Sequence, residues 1–265
     1  MLALFTPRTL TFLRGLKRNN TREWFQAHRD AYERDVRAPL TALVERMAED
    51  LPSFAPDLVA APRLSIFRIH RDIRFSDDKS PYKTNIAAQF PSRRLPRNEG
   101  AGLYVQIAPN ESFAGGGIYM PERDQLFAIR EHIAENYLRF RALVESPRVQ
   151  RRFGGLADEG RLTRAPKGFP VDHPAIEYLK HKHYFTMQKF PPVDITSPRF
   201  YPMLLAMFKD TAPLVAFLNE ALTTRWRANG PALGASLPAS PTAAVGKRDV
   251  RKNTASTKGS AKKPR

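Results

Sequence analysis

The chain has 265 residues and a formal net charge of +17, and 42% of its residues are hydrophobic, which is enough for a folded core. It contains no cysteine, which excludes disulfides, thiolate nucleophiles and cysteine-ligated metals. No uninterrupted apolar run approaches the roughly 20 residues that a membrane-spanning helix needs, and Met1 to Phe5 is too short for a secretory signal. The sequence therefore predicts a cytoplasmic protein that does not enter a membrane.

Helices are predicted for the first fifty residues. Thr6-Pro7 is typical of a helix start, because proline suits the first turn. After a break at Asn19-Asn20, a second helix begins with Asn20 or Thr21 as its cap. Apolar residues at helical spacing then continue from Pro39 to Leu51.

Strands are predicted for the next seventy residues. Alternating side chains favour a strand over residues 63–73. Three further strands are predicted at 85–91, 101–109 and 111–120, with a hairpin turn at Pro109-Asn110. The run Gly115-Gly116-Gly117 predicts a bulge or the close approach of another group.

The second half is mainly helical in pattern. A long helix is predicted from Pro121 to about Val144, and shorter helices follow at residues 174–180, at 197–208 and from Pro213 onward. From Ala228 the composition changes to small residues, proline and lysine, which predicts a disordered basic tail over residues 228–265. Helices flanking consecutive strands indicate one α+β domain over residues 1–227, with an antiparallel sheet of about four to five strands.

Residues 68–83 combine a high density of charge with apolar residues such as Ile69, Ile73 and Phe75. The cations are Arg68, Arg71, Arg74, Lys79 and Lys83, and the acids are Asp72, Asp77 and Asp78. Such charges are buried only when they pair or meet a ligand. In a regular strand, the even positions Arg68, His70, Asp72 and Arg74 share one face. Because cations outnumber acids, the stretch predicts a site for a phosphate-bearing ligand, either a nucleotide or nucleic acid.

Each residue type suggests a role in that site. The arginines hold the anion, Lys79 neutralises charge, and Tyr82 donates a hydrogen bond or stacks on a base. Asp72 and Asp78 orient the cations, or act with Lys79 as candidate catalytic groups. A second basic loop, residues 164–169, adds a further cation. The predicted ligand-binding residues are Arg68, Arg71, Arg74, Lys79, Tyr82, Lys83 and Lys167.

Two alternatives remain open at this point. Asp72 followed by Asp77-x-Lys79 loosely resembles the acidic core of metal-dependent nucleases, and an enzyme acting on phosphoesters would bind metal through Asp72 and Asp78. In the other alternative the charges form a structural network of ion pairs without catalysis.

His181 and His183 alternate on an extended segment, but no third metal ligand accompanies them, so no metal site is predicted there. The basic tail suits nonspecific contact with nucleic acid.

The pattern R-x-x-R-D-x-R-F-x-x-D-K-x-x-Y resembles the signature of the DUF2461 family of uncharacterised bacterial proteins. It is filled here by Arg68, Arg71, Asp72, Arg74, Phe75, Asp78, Lys79 and Tyr82. Supporting matches are Asn19-Asn20 before Glu23-Trp24-Phe25, then Gly116-Gly117 with Tyr119, and Pro166-Lys167-Gly168. The resemblance covers roughly residues 4–225. It implies no established activity, so the cofactor, any reaction and the oligomeric state are left open.

Overall fold

A computed structural model describes residues 3–74, 77–96 and 98–229. The amino-terminal part is helical, and its helices begin where the capping residues predict. The first helix, α1, starts after Thr6, whose backbone N–H donates to Thr9 Oγ1 at 3.3 Å. Thr21 caps α2 by accepting from the Trp24 N–H at 3.2 Å. The helices of this part are α1 Pro7–Arg18, α2 Arg22–Ala27, α3 Arg29–Tyr32, a π-turn Glu33–Arg37, α4 Ala38–Asp50, a 3-10 turn Leu51–Ser53 and α5 Pro62–Ser65.

A four-stranded antiparallel sheet follows, with its strands adjacent in chain order. The strands are β1 Ile86–Phe90, β2 Gly102–Ile107, β3 Ser112–Ile118 and β4 Tyr184–Phe190. The three strands predicted after residue 84 are thereby confirmed as β1 to β3, and so is the hairpin that joins β2 to β3. The prediction of a regular strand over residues 63–73 is wrong, because this segment starts with the α5 turn and then makes only isolated bridges. The strand β4 was not predicted from the sequence.

The glycine run of β3 allows its neighbours to come close. A Cβ atom on Gly115 would lie 2.1 Å from the backbone oxygen of Thr186 in β4. On Gly116 it would lie 2.6 Å from the Cγ2 of Thr211, on the helix that crosses this sheet face. The predicted close approach is therefore confirmed, and both neighbours belong to the fold itself.

The helices after β3 surround the sheet. They are α6 Arg123–Glu135, α7 Tyr137–Val144, α8 Pro147–Phe153, α9 Ile176–Leu179, α10 Pro192–Ile195 and α11 Phe200–Asn229. The predicted long helix from Pro121 is divided at Asn136 into α6 and α7. The predicted tail lies outside the described residues, apart from its first two positions, which extend α11.

The thirty-residue helix α11 forms the centre of the core. Two helices were predicted here, but the structure has one, with Pro213 inside it. Proline removes one helical hydrogen bond, and the buried residues on both sides of it compensate by packing on β3, α6 and α7. Phe200–Trp226 is long and apolar enough to cross a membrane by composition, although 56% of its most apolar window is buried within the domain. The apolar face of α11 therefore serves the core.

Candidate functional site

The charged stretch forms an irregular hairpin on the outer edge of β1. We call residues 66–74 and 77–83 the charged hairpin. Its two arms pair through the Arg71 N–H, which donates to the Pro81 carbonyl at 2.9 Å, and the Lys83 N–H, which donates to the Ile69 carbonyl at 2.8 Å. Because β1 is an edge strand and the arms pair only briefly, most charged side chains of the hairpin reach solvent.

The side chain of Asn20 fixes the hairpin to the amino-terminal helices. Its Nδ2 donates to the Tyr82 carbonyl at 3.0 Å, and its Oδ1 accepts from the Tyr82 N–H at 3.1 Å. The two bonds imitate the pairing of a neighbouring strand. Below them, the Tyr82 ring is 3% exposed and stacks on Phe25 with centroids 4.2 Å apart. The break between α1 and α2 thus positions the carboxyl-terminal arm of the hairpin.

Two ion pairs inside the hairpin use both candidate catalytic acids. Arg74 donates to Asp72 from Nε at 3.0 Å and from Nη2 at 2.8 Å. These hydrogen bonds lower the pKa of the Asp72 carboxyl to about 2. Arg71 pairs with Asp78, and Asp78 also accepts from the Ser80 N–H at 2.9 Å. The pKa of Asp78 is lowered, first by the Ser80 side chain and then by this backbone N–H.

Exposure limits what these pairs contribute to stability. In the Arg74–Asp72 pair the two side chains are 60% and 18% exposed, and in the Arg71–Asp78 pair they are 28% and 52% exposed. Each pair therefore has one member in solvent, where water and salt weaken the attraction, so neither pair contributes as a fully buried one would. If the hairpin were only a structural clamp, replacing one of its arginines would unfold the domain. This geometry does not lead us to expect that result.

Lys83, Arg68 and Arg71 lie together, and of the three only Arg71 forms an ion pair among the described residues, with Asp78. Lys83 is half-buried, and its pKa is lowered by burial first and then by the positive charges of Arg68 and Arg71. Within the described residues, neither Arg68 nor Lys83 forms an ion pair, and the Nε of Arg71 is buried without a hydrogen-bond partner. The Lys83 ammonium lies 5.3 Å from the centroid of the Phe67 ring, a weak attraction. This group, which we call the Lys83 cluster, is the electrostatically least satisfied part of the hairpin.

The other predicted ligand-binding residues have different surroundings. Lys79 donates to the Ile73 carbonyl at 3.1 Å and thereby closes the tip of the hairpin. The ring of Tyr82 is buried, so it supports the site from below in this conformation. Lys167 lines a separate cleft beside α6, and no residue of the charged hairpin lines that cleft. The structure thus brings together Arg68, Arg71 and Lys83, with Arg74 and Lys79 engaged in holding the hairpin.

No metal site emerges among the described residues, where no three acidic or histidine side chains are grouped in a way that could hold an ion. His181 is buried, and burial lowers its pKa. His183 stacks on Tyr119 with centroids 4.8 Å apart and accepts from the Met120 N–H at 2.9 Å. Both histidines therefore have packing roles beside the β3–β4 pair.

Asn20 was predicted only as a possible helix cap and not as part of the site. In the structure Thr21 is the cap, and the Asn20 side chain bonds to the hairpin. The only signal in the sequence was the pair Asn19-Asn20 among the matches to the family pattern. A contact across 62 positions leaves no trace in local periodicity.

Together the fold and the site define an α+β protein whose antiparallel sheet carries a cationic hairpin at one edge. A family model described as conserved hypothetical protein (DUF2461) matches residues 8–217. The chain therefore belongs to the DUF2461 family, which confirms the family suggested by its sequence motif. A comparison with curated proteins found no match.

Proposed function

We propose that this protein binds a phosphate-bearing anion at the Lys83 cluster, formed by Arg68, Arg71 and Lys83. The observation that carries the proposal is the half-buried ammonium of Lys83 beside two guanidinium groups, with no carboxylate paired to it among the described residues. Like charges in a partly desolvated place destabilise one another. A bound anion would convert that repulsion into attraction.

Phosphate suits this cluster better than a carboxylate ligand does. A phosphate group offers several oxygens and up to two negative charges, and it can accept from two arginine forks and an ammonium at once. The net charge of +17 would attract a polyanion from a distance. We therefore infer a nucleotide or nucleic acid as the ligand class, and a cytoplasmic location in which such ligands are abundant.

The two alternatives explain less of the hairpin. A metal-dependent phosphoesterase would need Asp72 and Asp78 as ligands, yet both carboxylates accept hydrogen bonds from arginines of the hairpin. A purely structural role accounts for the pairs of Arg74 and Arg71. It gives no reason for the half-buried Lys83 between cations, which costs stability.

The test is a calorimetric titration with inorganic pyrophosphate and with a single-stranded oligonucleotide, at low salt. We expect Arg68→Ala and Lys83→Met each to weaken binding about tenfold or more, because a hydrogen bond to a charged group contributes about 1.5–3 kcal/mol. The control is Lys189→Met, the same substitution at an exposed lysine on the opposite edge strand, β4.

Equal affinity of the parent, Arg68→Ala and Lys83→Met proteins for both probes would refute the proposal. If all three lysine and arginine variants, including the control, weaken binding equally, the attraction is a property of total charge and the assigned site is wrong. Catalysis is tested separately: a Mg²⁺-dependent rise in melting temperature that Asp78→Asn abolishes would favour the phosphoesterase alternative.

A further inference from the structure

A second charged feature lies on α6, away from the hairpin. Arg123, Phe127, Glu131 and Glu135 follow one another at four-residue steps, which places them on one ridge of the helix that turns about 40° around the axis at each step. All four are exposed, and all four line a cleft of about 920 Å³. We call this row of side chains the α6 stripe. Along the helix it contains a cation, an aromatic ring and then two acids.

The cleft has two walls beside the stripe. On one side is the loop of Lys167 and Gly168: a Cβ atom on Gly168 would lie 3.6 Å from the Phe127 ring, and its φ of +93° is one that favours glycine. The Phe127 and Phe169 rings lie 5.8 Å apart and join the loop to the helix. On the other side, Arg225 of α11 pairs with Asp124 at 3.1 Å.

The floor of the cleft is attached to the rest of the fold through Arg130. Arg130 is 9% exposed, and its Nη2 donates to the His181 carbonyl at 3.0 Å, which ties α6 to the segment before β4. Its Nε is buried without a hydrogen-bond partner among the described residues. The stripe is thus presented by a helix that is fixed from below.

Apart from the Asp124–Arg225 pair, four charged residues that line the cleft have no ion-pair partner among the described residues. Among the described residues, Arg123 and Lys167 form no ion pair, and neither do Glu131 and Glu135. Arg123 and Glu131 are eight residues apart, about 12 Å along the helix axis at roughly 1.5 Å per residue. The surface therefore has a positive end, an aromatic centre and a negative end.

We propose that this cleft binds an extended peptide segment of a partner protein, with an acidic, an apolar and a basic side chain at alternate positions. Four residues of helix rise about 6 Å, and two residues of an extended strand advance about 6.8 Å with their side chains on the same face. The acidic side chain then meets Arg123 and Lys167, the apolar one packs on Phe127, and the basic one meets Glu131 and Glu135.

The stripe also indicates a peptide rather than a small molecule. From Arg123 to Glu135 it runs about 18 Å, the length of roughly five extended residues. The occupant is specified by charge complementarity along that length. A ligand of this length with charge of one sign only would be attracted to one end of the stripe and repelled by the other. This inference is independent of anion binding at the hairpin.

The experiment measures fluorescence anisotropy of the full-length protein with three labelled peptides that have capped ends: Asp-Ala-Leu-Ala-Lys, Lys-Ala-Leu-Ala-Lys and Asp-Ala-Leu-Ala-Asp. We expect the first to bind the parent protein most tightly. Arg123→Glu should weaken that binding about fivefold to tenfold and make Lys-Ala-Leu-Ala-Lys the preferred peptide. Glu131→Lys should make Asp-Ala-Leu-Ala-Asp the preferred peptide.

The exchanged preferences distinguish contact from a structural role, because loss of fold weakens all peptides equally. Both positions are exposed, and melting temperatures equal to that of the parent confirm the fold. Lys83→Met should leave the order of the three peptides unchanged, which separates this cleft from the hairpin. The proposal is overturned if affinity simply follows the negative charge of the peptide, if none of the three peptides binds, or if neither exchange alters the preference.

Discussion

The bonds between Asn20 and Tyr82 allow the sharpest test of how the hairpin is held. Asn20→Ala removes both, at 3.0 and 3.1 Å, and leaves the backbone groups of a buried residue without partners. At about 0.5–1.5 kcal/mol for each bond, the free energy of unfolding should fall by about 1–3 kcal/mol. For a domain of this size a loss of about 2 kcal/mol lowers the melting temperature by about 4–8 °C.

The neighbouring residue provides the control. Asn19 also donates one side-chain bond, to the Gly15 carbonyl at 3.1 Å, but this bond is exposed and lies within α1. Asn19→Ala should therefore change the free energy of unfolding by about 0.5 kcal/mol or less. Thermal and urea unfolding of both variants measure the difference. If the two substitutions have equal effects, the Asn20 side chain does not hold the hairpin and our account of its position is wrong.

Three further predictions concern charge and packing. Lys83→Met should raise the free energy of unfolding at pH 7, because the lowered pKa of Lys83 means that the folded state disfavours its charged form. The gain in stability over the parent should shrink as the pH rises toward about 10.4, the pKa of an unfolded lysine. A variant whose stability at pH 7 equals or falls below that of the parent contradicts this prediction. Asp72→Asn should be less stable than the parent above about pH 4, the pKa of an unfolded aspartate. The difference in stability should disappear as the pH falls toward the folded pKa of about 2. If thermal unfolding at acidic pH shows a constant difference, the pair with Arg74 does not stabilise the charged carboxylate. Gly115→Ala should lower the free energy of unfolding, measured with urea, by more than about 2 kcal/mol, because its Cβ would lie 2.1 Å from the Thr186 oxygen. The control is Gly154→Ala, which has open space around it and should be destabilised only by the strain of its positive φ.

Elements with strong local signals could be predicted from the sequence. The alternating residues of β2 and the turn after it specify the hairpin that the structure contains. Thr6-Pro7 and Thr21 mark the starts of α1 and α2, because capping depends on residues a few positions apart. The class, an α+β domain with an antiparallel sheet, follows from the order of these elements.

Features that depend on distant contacts could not be predicted in this way. The strand β4 pairs with β3 across some seventy residues of helices and loops, and its short mixed sequence has no clear alternation. Helix α11 continues through Pro213 because packing on the sheet outweighs the local effect of proline. In the site, the charged residues were found by their density. Which of them pair with each other, and which remain for a ligand, depends on the fold of an irregular hairpin.

The titration of the Lys83 ammonium, followed by NMR with labelled lysine, tests the central proposal most directly. Its pKa should lie below the ordinary value of about 10.4 in the free protein and rise when inorganic pyrophosphate is added, because a bound anion stabilises the charged form. A Lys83 pKa that stays the same with and without pyrophosphate would contradict an anion site at this cluster.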